Sequence, residues 1–536
     1  MSYPDYKRRQ FLQYTAAGTL ATMLPGFISA NNRVENNQPN SDFSTDVELE
    51  LTAQISEVPI LSGASTRVFK YHGKLLKGPQ NTLKNMPGYL GPTLNFEQGQ
   101  KVRIFFYNQL PEPSVVHWHG MHVPQKMDGH PMYEIYQGER YVYEFEVKNP
   151  AGTNWYHSHT HEMTATQVYQ GLAGLITITD HQERALDLPN GDYDIPIVIQ
   201  DRRFTAGNQF QYLHGMHQRM AGFHGDTILI NGQANSIIPV KTRAYRLRIL
   251  NGSNARIYKL GWEDGTPLTA IGTDGGLLEK PETLPYIMLA PAERVELWVD
   301  FSGRKLGSDL TLKSLEYHSS MSSMGGSGMH RGGGMGRMGM MADGSVSGES
   351  LPIVKFHIAE QISDSPELPS HLTSIRRLTT QDIPHPEKTV PIAIGMRHMA
   401  FQLNARTFEM YDYSETEQIS VNTIQKIRIF HDTQAMGGMG RGRMGGMGMM
   451  RAMPHPIHLH GQQFQILSRK QNNSDSSYDT VNKGFINTGW KDTVLVMPGE
   501  EIEILKPFQD YSGLFLYHCH NLEHEDMGMM RNFYVS

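Results

Sequence analysis

The chain holds a single cysteine in 536 residues. One thiol forms no internal disulfide, which excludes a disulfide framework and any zinc site built on paired cysteines. A surplus of one charge sign is also missing. The 48 basic and 54 acidic side chains leave a net charge of −6, which argues against a nucleic-acid partner, since such proteins carry a basic excess or stripe. No long apolar run exists beyond the N-terminal leader, so the mature chain is expected to have no membrane span. Helical periodicity is scarce as well. What is abundant is methionine, 31 residues of it. With 39% hydrophobic residues the chain can bury a sizeable core, and its length suggests about three domains.

The N-terminus reads as an address. Lys7-Arg8-Arg9-Gln10-Phe11-Leu12 precedes an uncharged stretch that runs to Asn32 and passes Ile28-Ser29-Ala30. A basic start, a mildly apolar middle and a small residue at the end describe a signal peptide over residues 1–30. The Arg8-Arg9 pair points to the twin-arginine translocation machinery and export to a periplasm. Residues 31–44 are polar and are expected to be flexible.

The remainder is dominated by short alternating runs bounded by Gly, Pro and Asn, such as Val102–Phe106, Tyr141–Val147 and Ile195–Ile199. Many such runs predict an all-β chain of Greek-key β-sandwiches. Breaks rich in proline and polar residues divide it into 45–185, 190–355 and 385–536, with 356–384 as a linker. Two segments are low-complexity. Residues 321–341 hold seven methionines among eight glycines, and residues 436–453 hold seven among seven. That much glycine packs no core, so both are expected to be flexible.

Histidine is clustered. His117-Trp118-His119, His157-Ser158-His159, His458-Leu459-His460 and His518-Cys519-His520 are four His-x-His units. In a strand, residues i and i+2 share a face, so each unit aims two imidazoles one way. Eight imidazoles suffice for several metal ions. Two units fall in the first domain and two in the last, which predicts a cluster between those domains with the middle domain as a spacer. Cys519 points away from its flanking histidines and needs a different site. His455, His524 and Met529 are candidate partners, and two histidines, a thiolate and a thioether form the trigonal ligand set of an electron-transfer copper centre. One backbone residue on either side of Cys519 then links that centre to the cluster.

Together, His117-Trp118-His119-Gly120, Trp155-Tyr156-His157-Ser158-His159, His455-Pro456-Ile457-His458-Leu459-His460-Gly461 and His518-Cys519-His520 with His524 and Met529 resemble the four copper motifs of the multicopper oxidases. The resemblance spans the mature chain in order. It implies three cupredoxin-like domains and four copper ions: one type 1, one type 2 and a binuclear type 3 pair. It also implies four one-electron oxidations coupled to reduction of O2 to two waters. Carried over by motif, His455, Cys519, His524 and Met529 match type 1, and His117 and His458 match type 2. His119, His157 and His520 match one type 3 copper; His159, His460 and His518 match the other. Asp128 and Glu525 resemble the family's acidic proton relays, because a carboxylate beside a metal cluster can pass protons through hydrogen bonds; neighbouring Asp526 is easily mistaken for Glu525.

The Met/Gly segments bear on the electron donor. Thioethers are soft and favour Cu(I), and bacterial cuprous oxidases of copper-efflux systems resemble this chain in leader, type 1 methionine and Met-rich insertion. His330 and the stretch His214-Gly215-Met216-His217 with Met220 and His224 would add ligands. Met453 fits the family's substrate-copper pattern before the third motif, and Met396 fits its upstream part. Arg451 stands where an acidic residue is expected, and no Asp closely follows Met396. A cuprous oxidase of copper tolerance is therefore the leading expectation. A laccase-like oxidase of phenols or other small reductants is the alternative, and a copper-sequestering protein a third. A monomer is expected.

Overall fold

The structure, a computed structural model, describes residues 37–213, 215–318, 348–397, 400–432, 453–472 and 477–536, except for the side chain of His217. The proposed leader and residues 321–341 and 436–452 lie outside the described residues. Residues Pro39–Ser536 form one compact unit.

Alternation builds the first strand. In Val47–Val58, Val47, Leu49, Leu51 and Ala53 are fully buried, while Glu48, Glu50 and Thr52 face the other way. The strand pairs antiparallel with Thr66–Lys77 and parallel with Lys101–Asn108. The described strands form six sheets, which fall into three successive pairs along the chain. The first pair is built from strands between Val47 and Thr179, the second from strands between Asp194 and Glu360, the third from strands between Val390 and Val535. Each sheet contains one parallel pairing among antiparallel ones. Val47–Val58 with Lys101–Asn108 recurs as Asp194–Arg202 with Ala244–Asn251 and as Val390–Arg397 with Thr423–His431. Such mixed order cannot come from simple hairpins, because a parallel neighbour requires a crossover. The architecture is all-β, three cupredoxin-like sandwiches.

Three expectations need correction. The last strand of the second sandwich is Leu351–Glu360, so the sheet runs past residue 355; buried Phe356 and Ile358 hold it there. Residues 40–43 are tied down, because Arg103 donates to the carbonyls of Asn40 and Phe43 and Glu144 accepts from the Asn40 amide. The middle sandwich is more than a spacer, as its contacts with the histidine cluster show below. Among the described residues, no helix is long and apolar enough to cross a membrane.

Candidate metal centre

Strand register does the first part of the assembly. Val116–His119 pairs antiparallel with Gly152–Ser158, placing His117 opposite His157. His455–Leu459 pairs antiparallel with Gly513–Cys519, placing His458 opposite His518 and Ile457 opposite Cys519. Directly opposed residues project from one face. The first and third sandwiches thus each present a patch of imidazoles on one sheet face.

Docking brings the patches together. His117 Nε2 lies 3.4 Å from His458 Nε2, and His159 Nε2 lies 3.3 Å from His518 Nε2. Within the third sandwich His460 Nε2 is 3.2 Å from His518 Nε2. His119 Nδ1 is 3.4 Å from His157 Nε2, and the His520 ring is centred 5.1 Å from His119 and 5.3 Å from His157. All eight rings are buried.

The nitrogens carry a diagnostic tension. His117 Nδ1 is 2.5 Å from the Asp128 carbonyl and His458 Nδ1 is 2.8 Å from the Asp492 carbonyl. A carbonyl only accepts, so both Nδ1 atoms carry the hydrogen and both Nε2 atoms present lone pairs to each other. His460 repeats the pattern, its Nδ1 donating to Asp128 Oδ2 at 2.7 Å. His518 Nδ1 sits 3.1 Å from the Cys519 carbonyl and 3.0 Å from Glu525 Oε2. Facing lone pairs in a dry interior repel unless a cation lies between them. Burial pushes His157, His159 and His520 down to about 3 and moves His117, His119, His458 and His460 well below the ordinary histidine range, with neighbouring histidines adding to the effect. Neutral imidazole is the metal-binding form. Two nitrogens bound to one ion at tetrahedral angles lie about 3.4 Å apart, close to the spacings found. His520, with neither ring nitrogen hydrogen-bonded, fits the same use.

A second donor set lies across the strand. Cys519 Sγ is 3.5 Å from His455 Nδ1 and 3.7 Å from His524 Nδ1. Sulfur and nitrogen ligands at trigonal angles around one ion would be separated by about 3.7 Å. Met529 is buried in the same core, its carbonyl accepting from the Cys519 amide and its amide donating to the His524 carbonyl. Burial pushes the Cys519 thiol well up, and the Asn521 amide, 3.4 Å from Sγ, partly offsets this. In this apolar pocket a thiolate needs a metal to displace its proton. The residues present fit copper at both places.

Comparisons with known proteins agree. Two family profiles, each described as multicopper oxidase, match residues 72–183 and 388–536. The multicopper oxidase mco of Staphylococcus haemolyticus is 30% identical over 455 residues, covering 84% of each chain. This chain belongs to the multicopper oxidases. A laccase of Bacillus stratosphericus is 30% identical to this oxidase over 492 residues, covering 82% of this chain and 88% of the laccase. The crystal structure of the McoA multicopper oxidase from Aquifex aeolicus superposes with a TM-score of 0.73 at 30% identity, covering 92% of this chain and 97% of that one.

The oxidase surrounds its histidines with charged groups that the sequence did not announce. Asp492, fully buried, lies 3.2 Å from His119 Nε2 through Oδ1. This turns His119 around: its Nδ1, rather than Nε2, faces a neighbouring imidazole. Asp492 is gripped by Arg294 of the middle sandwich at 2.7 and 2.6 Å. Burial alone would raise the Asp492 carboxyl, but Arg294 holds it far below the usual carboxylate range. Arg294 also donates to the Thr153 carbonyl and Asn154 of the first sandwich, so one guanidinium joins all three sandwiches behind the cluster. No spacing motif could reveal it, since its partner lies 198 residues away.

The two expected acidic residues are at the cluster. Asp128 bonds His460, and its other oxygen is buried without a hydrogen-bond partner. Burial raises its carboxyl well above the usual range, with Lys506 partly opposing. Glu525 contacts His518 and lies 3.7 Å from His159 Nδ1; burial would raise it, but His518 and His159 drive it strongly down. A cavity of 390 Å³ reaches Glu525 and His159 from the direction of His161 and Phe408. Asp526 has a different job: its carboxylate accepts from the Thr164 and Ala165 amides and caps that helix.

Beside the cysteine site, Met453 is buried and its carbonyl lies 3.3 Å from His431 Nε2. Met396, half-buried, packs against the same core. Arg451, His330 and His214 lie outside the described residues.

Proposed function

We propose that this oxidase couples the one-electron oxidation of Cu(I) to Cu(II) with the four-electron reduction of O2 to water, in copper tolerance. His455, Cys519, His524 and Met529 would hold a type 1 copper and His117 and His458 a type 2 copper. His119, His157 and His520 would hold one type 3 copper, and His159, His460 and His518 the other. Bound copper supplies the electron transfer and the O2 chemistry. The chain's own part is to aim eight imidazoles and keep seven of them neutral by burial, to exclude water from Cys519, to hold a proton at Asp128 Oδ1 and to present Glu525 as a charged proton acceptor. The observation that carries the reading is the pair of complete donor sets, joined through the backbone on either side of Cys519.

The choice of Cu(I) as donor is supported by the two Met/Gly segments, the second of which ends at Met453, two residues before His455. Arg451 counts against bound Cu(I) at that spot, since it adds a cation. A laccase-like reading is favoured by the similarity to the Bacillus laccase. The Arg8-Arg9 leader supports export by the twin-arginine route to the periplasm. Steady-state O2 consumption with chelated Cu(I), Fe(II) and a phenol, measured side by side, decides the donor. Cu(I) failing to outperform the phenol refutes the cuprous assignment. Deleting residues 321–341 and 436–450 tests the segments: unchanged Cu(I) oxidation removes their role, and faster phenol turnover makes them a cover.

A further inference from the structure

The middle sandwich also reaches the cysteine site, through the segment Tyr212–Phe223. Both ends of that segment are fastened to one carboxylate. Glu523, buried beside His524, accepts from the Tyr212 hydroxyl at 2.6 Å and the Phe223 amide at 2.9 Å, and Asn254 donates to it at 2.9 Å. The Tyr212 and Phe223 rings meet with centroids 5.5 Å apart, closing the loop. Between them runs the short helix Met216–Ala221.

The segment lies directly on His524. With Nδ1 turned to Cys519, His524 directs Nε2 at the Met220 carbonyl, 3.1 Å away, and a carbonyl can only accept, so Nε2 donates. Phe401 stacks on the His524 ring at 3.9 Å. Met220 packs against the core that contains Cys519 and Met529. Gly222 has a φ of +86°, and a Cβ there would come within 2.4 Å of both Ala255 and Asn521, so the chain is pressed close to the cysteine site. His524 itself is fully buried. Met216, by contrast, stands on the outside, 55% exposed.

We propose that Tyr212–Phe223, fastened by Glu523, is a donor-selecting cover over the type 1 site, and that Glu523 is a positioning residue for it. The inference rests on the type 1 reading of His455, Cys519 and His524. A donor cannot touch the His524 ring. It would dock on the outer face of the segment and give up one electron, with the Met220 carbonyl and the His524 N–H lying between it and the copper that His455, Cys519 and His524 would hold. No bond forms or breaks. An aromatic donor that needs contact with the ring edge is held off. A small soft cation that can sit at a thioether such as Met216 is admitted.

The test uses the copper-loaded full chain with Glu523→Gln and Tyr212→Phe; the second removes only a hydroxyl and covers the case in which the first fails to fold. Trypsin cleavage after Arg219, which is exposed on the segment, reads its opening independently of turnover. Chelated Cu(I) and 2,6-dimethoxyphenol read selectivity. Loss of one hydrogen bond to the buried Glu523 carboxyl should speed cleavage about tenfold. Phenol kcat/KM should rise by a similar factor relative to Cu(I), through KM, with the thiolate-to-copper absorption unchanged. Met216→Ala should lower kcat/KM for Cu(I) and leave the phenol untouched. Faster cleavage with an unchanged donor ratio overturns the selecting role, and unchanged cleavage in both variants overturns the fastening. A copper-loaded wild type without thiolate-to-copper absorption would instead refute the type 1 reading beneath the proposal.

Discussion

Replacing Arg294 by methionine should loosen the junction behind the histidine cluster more than any surface change could. The guanidinium donates to both Asp492 oxygens, to the Asp274, Ala292 and Thr153 carbonyls and to Asn154. Methionine fills much of the volume and removes every donor, leaving Asp492 buried without its cation. Breaking a buried pair by removing one partner costs about 3–5 kcal/mol. In a chain of three sandwiches global unfolding is not two-state, so the assay is native-state hydrogen exchange of the copper-free protein over Thr493–Val496, the strand that follows Asp492. At about 1.4 kcal/mol per decade, protection there should fall by about a hundred- to several-thousand-fold. The pH sign follows from Asp492, whose carboxyl is depressed in the native protein. Its contribution is present above the unfolded carboxyl pKa, near 4, and disappears as pH falls below it. The difference between variant and wild type should therefore be full at neutral pH and shrink in acid, where the orphaned Asp492 takes up a proton. Arg294→Lys should recover part of the loss, since an ammonium supplies the charge but not the two-pronged geometry. Protection lost by less than about threefold at neutral pH would refute the argument.

Three further outcomes are expected. Cys519→Ser should abolish the thiolate-to-copper absorption while the protein, loaded and assayed for metal, retains copper at the eight-histidine cluster; retention of the absorption would show that another sulfur is the ligand. Asp128→Asn and Glu525→Gln should each slow O2 consumption by about 10²–10⁴-fold with donor binding unaltered, the usual size of a lost proton-transfer group; wild-type rates in both would remove the relay role. Lys506 is buried, and burial lowers it to about 7, with Asp492 and Asp128 partly opposing. The unfolded chain binds the extra proton between pH 7 and 10.5, so wild type should gain up to about 5 kcal/mol relative to Lys506→Met across that interval and nothing below it. A flat difference between the two proteins in native-state hydrogen-exchange protection of the strand Glu500–Phe508 over that range would contradict it.

The sequence carried the chemistry unusually far, because metal ligands leave a local trace. Two imidazoles on one strand face must be two residues apart, and a cysteine between two histidines must point across the strand. His117, His119, His157, His159, His458, His460, His518 and His520 were legible from that rule, and their burial in one cluster follows from register and docking. Cys519 was separable from them for the same reason. Glu525 and Asp128 were legible only through motif resemblance, and nothing in their neighbourhood distinguished Glu525 from Asp526. The structure does, since Asp526 is consumed by capping the helix that starts at Thr164.

What the chain alone determines is therefore the all-β pattern and the two donor sets. Tertiary structure decides what surrounds them. Arg294 meets Asp492, and Tyr212 and Phe223 meet Glu523, across separations of 198, 311 and 300 residues. Ligand spacing is set by bond lengths within one strand. Outer contacts are set by how the three sandwiches pack on one another, and the pairing of a buried charge with a distant partner leaves no periodic mark on either segment.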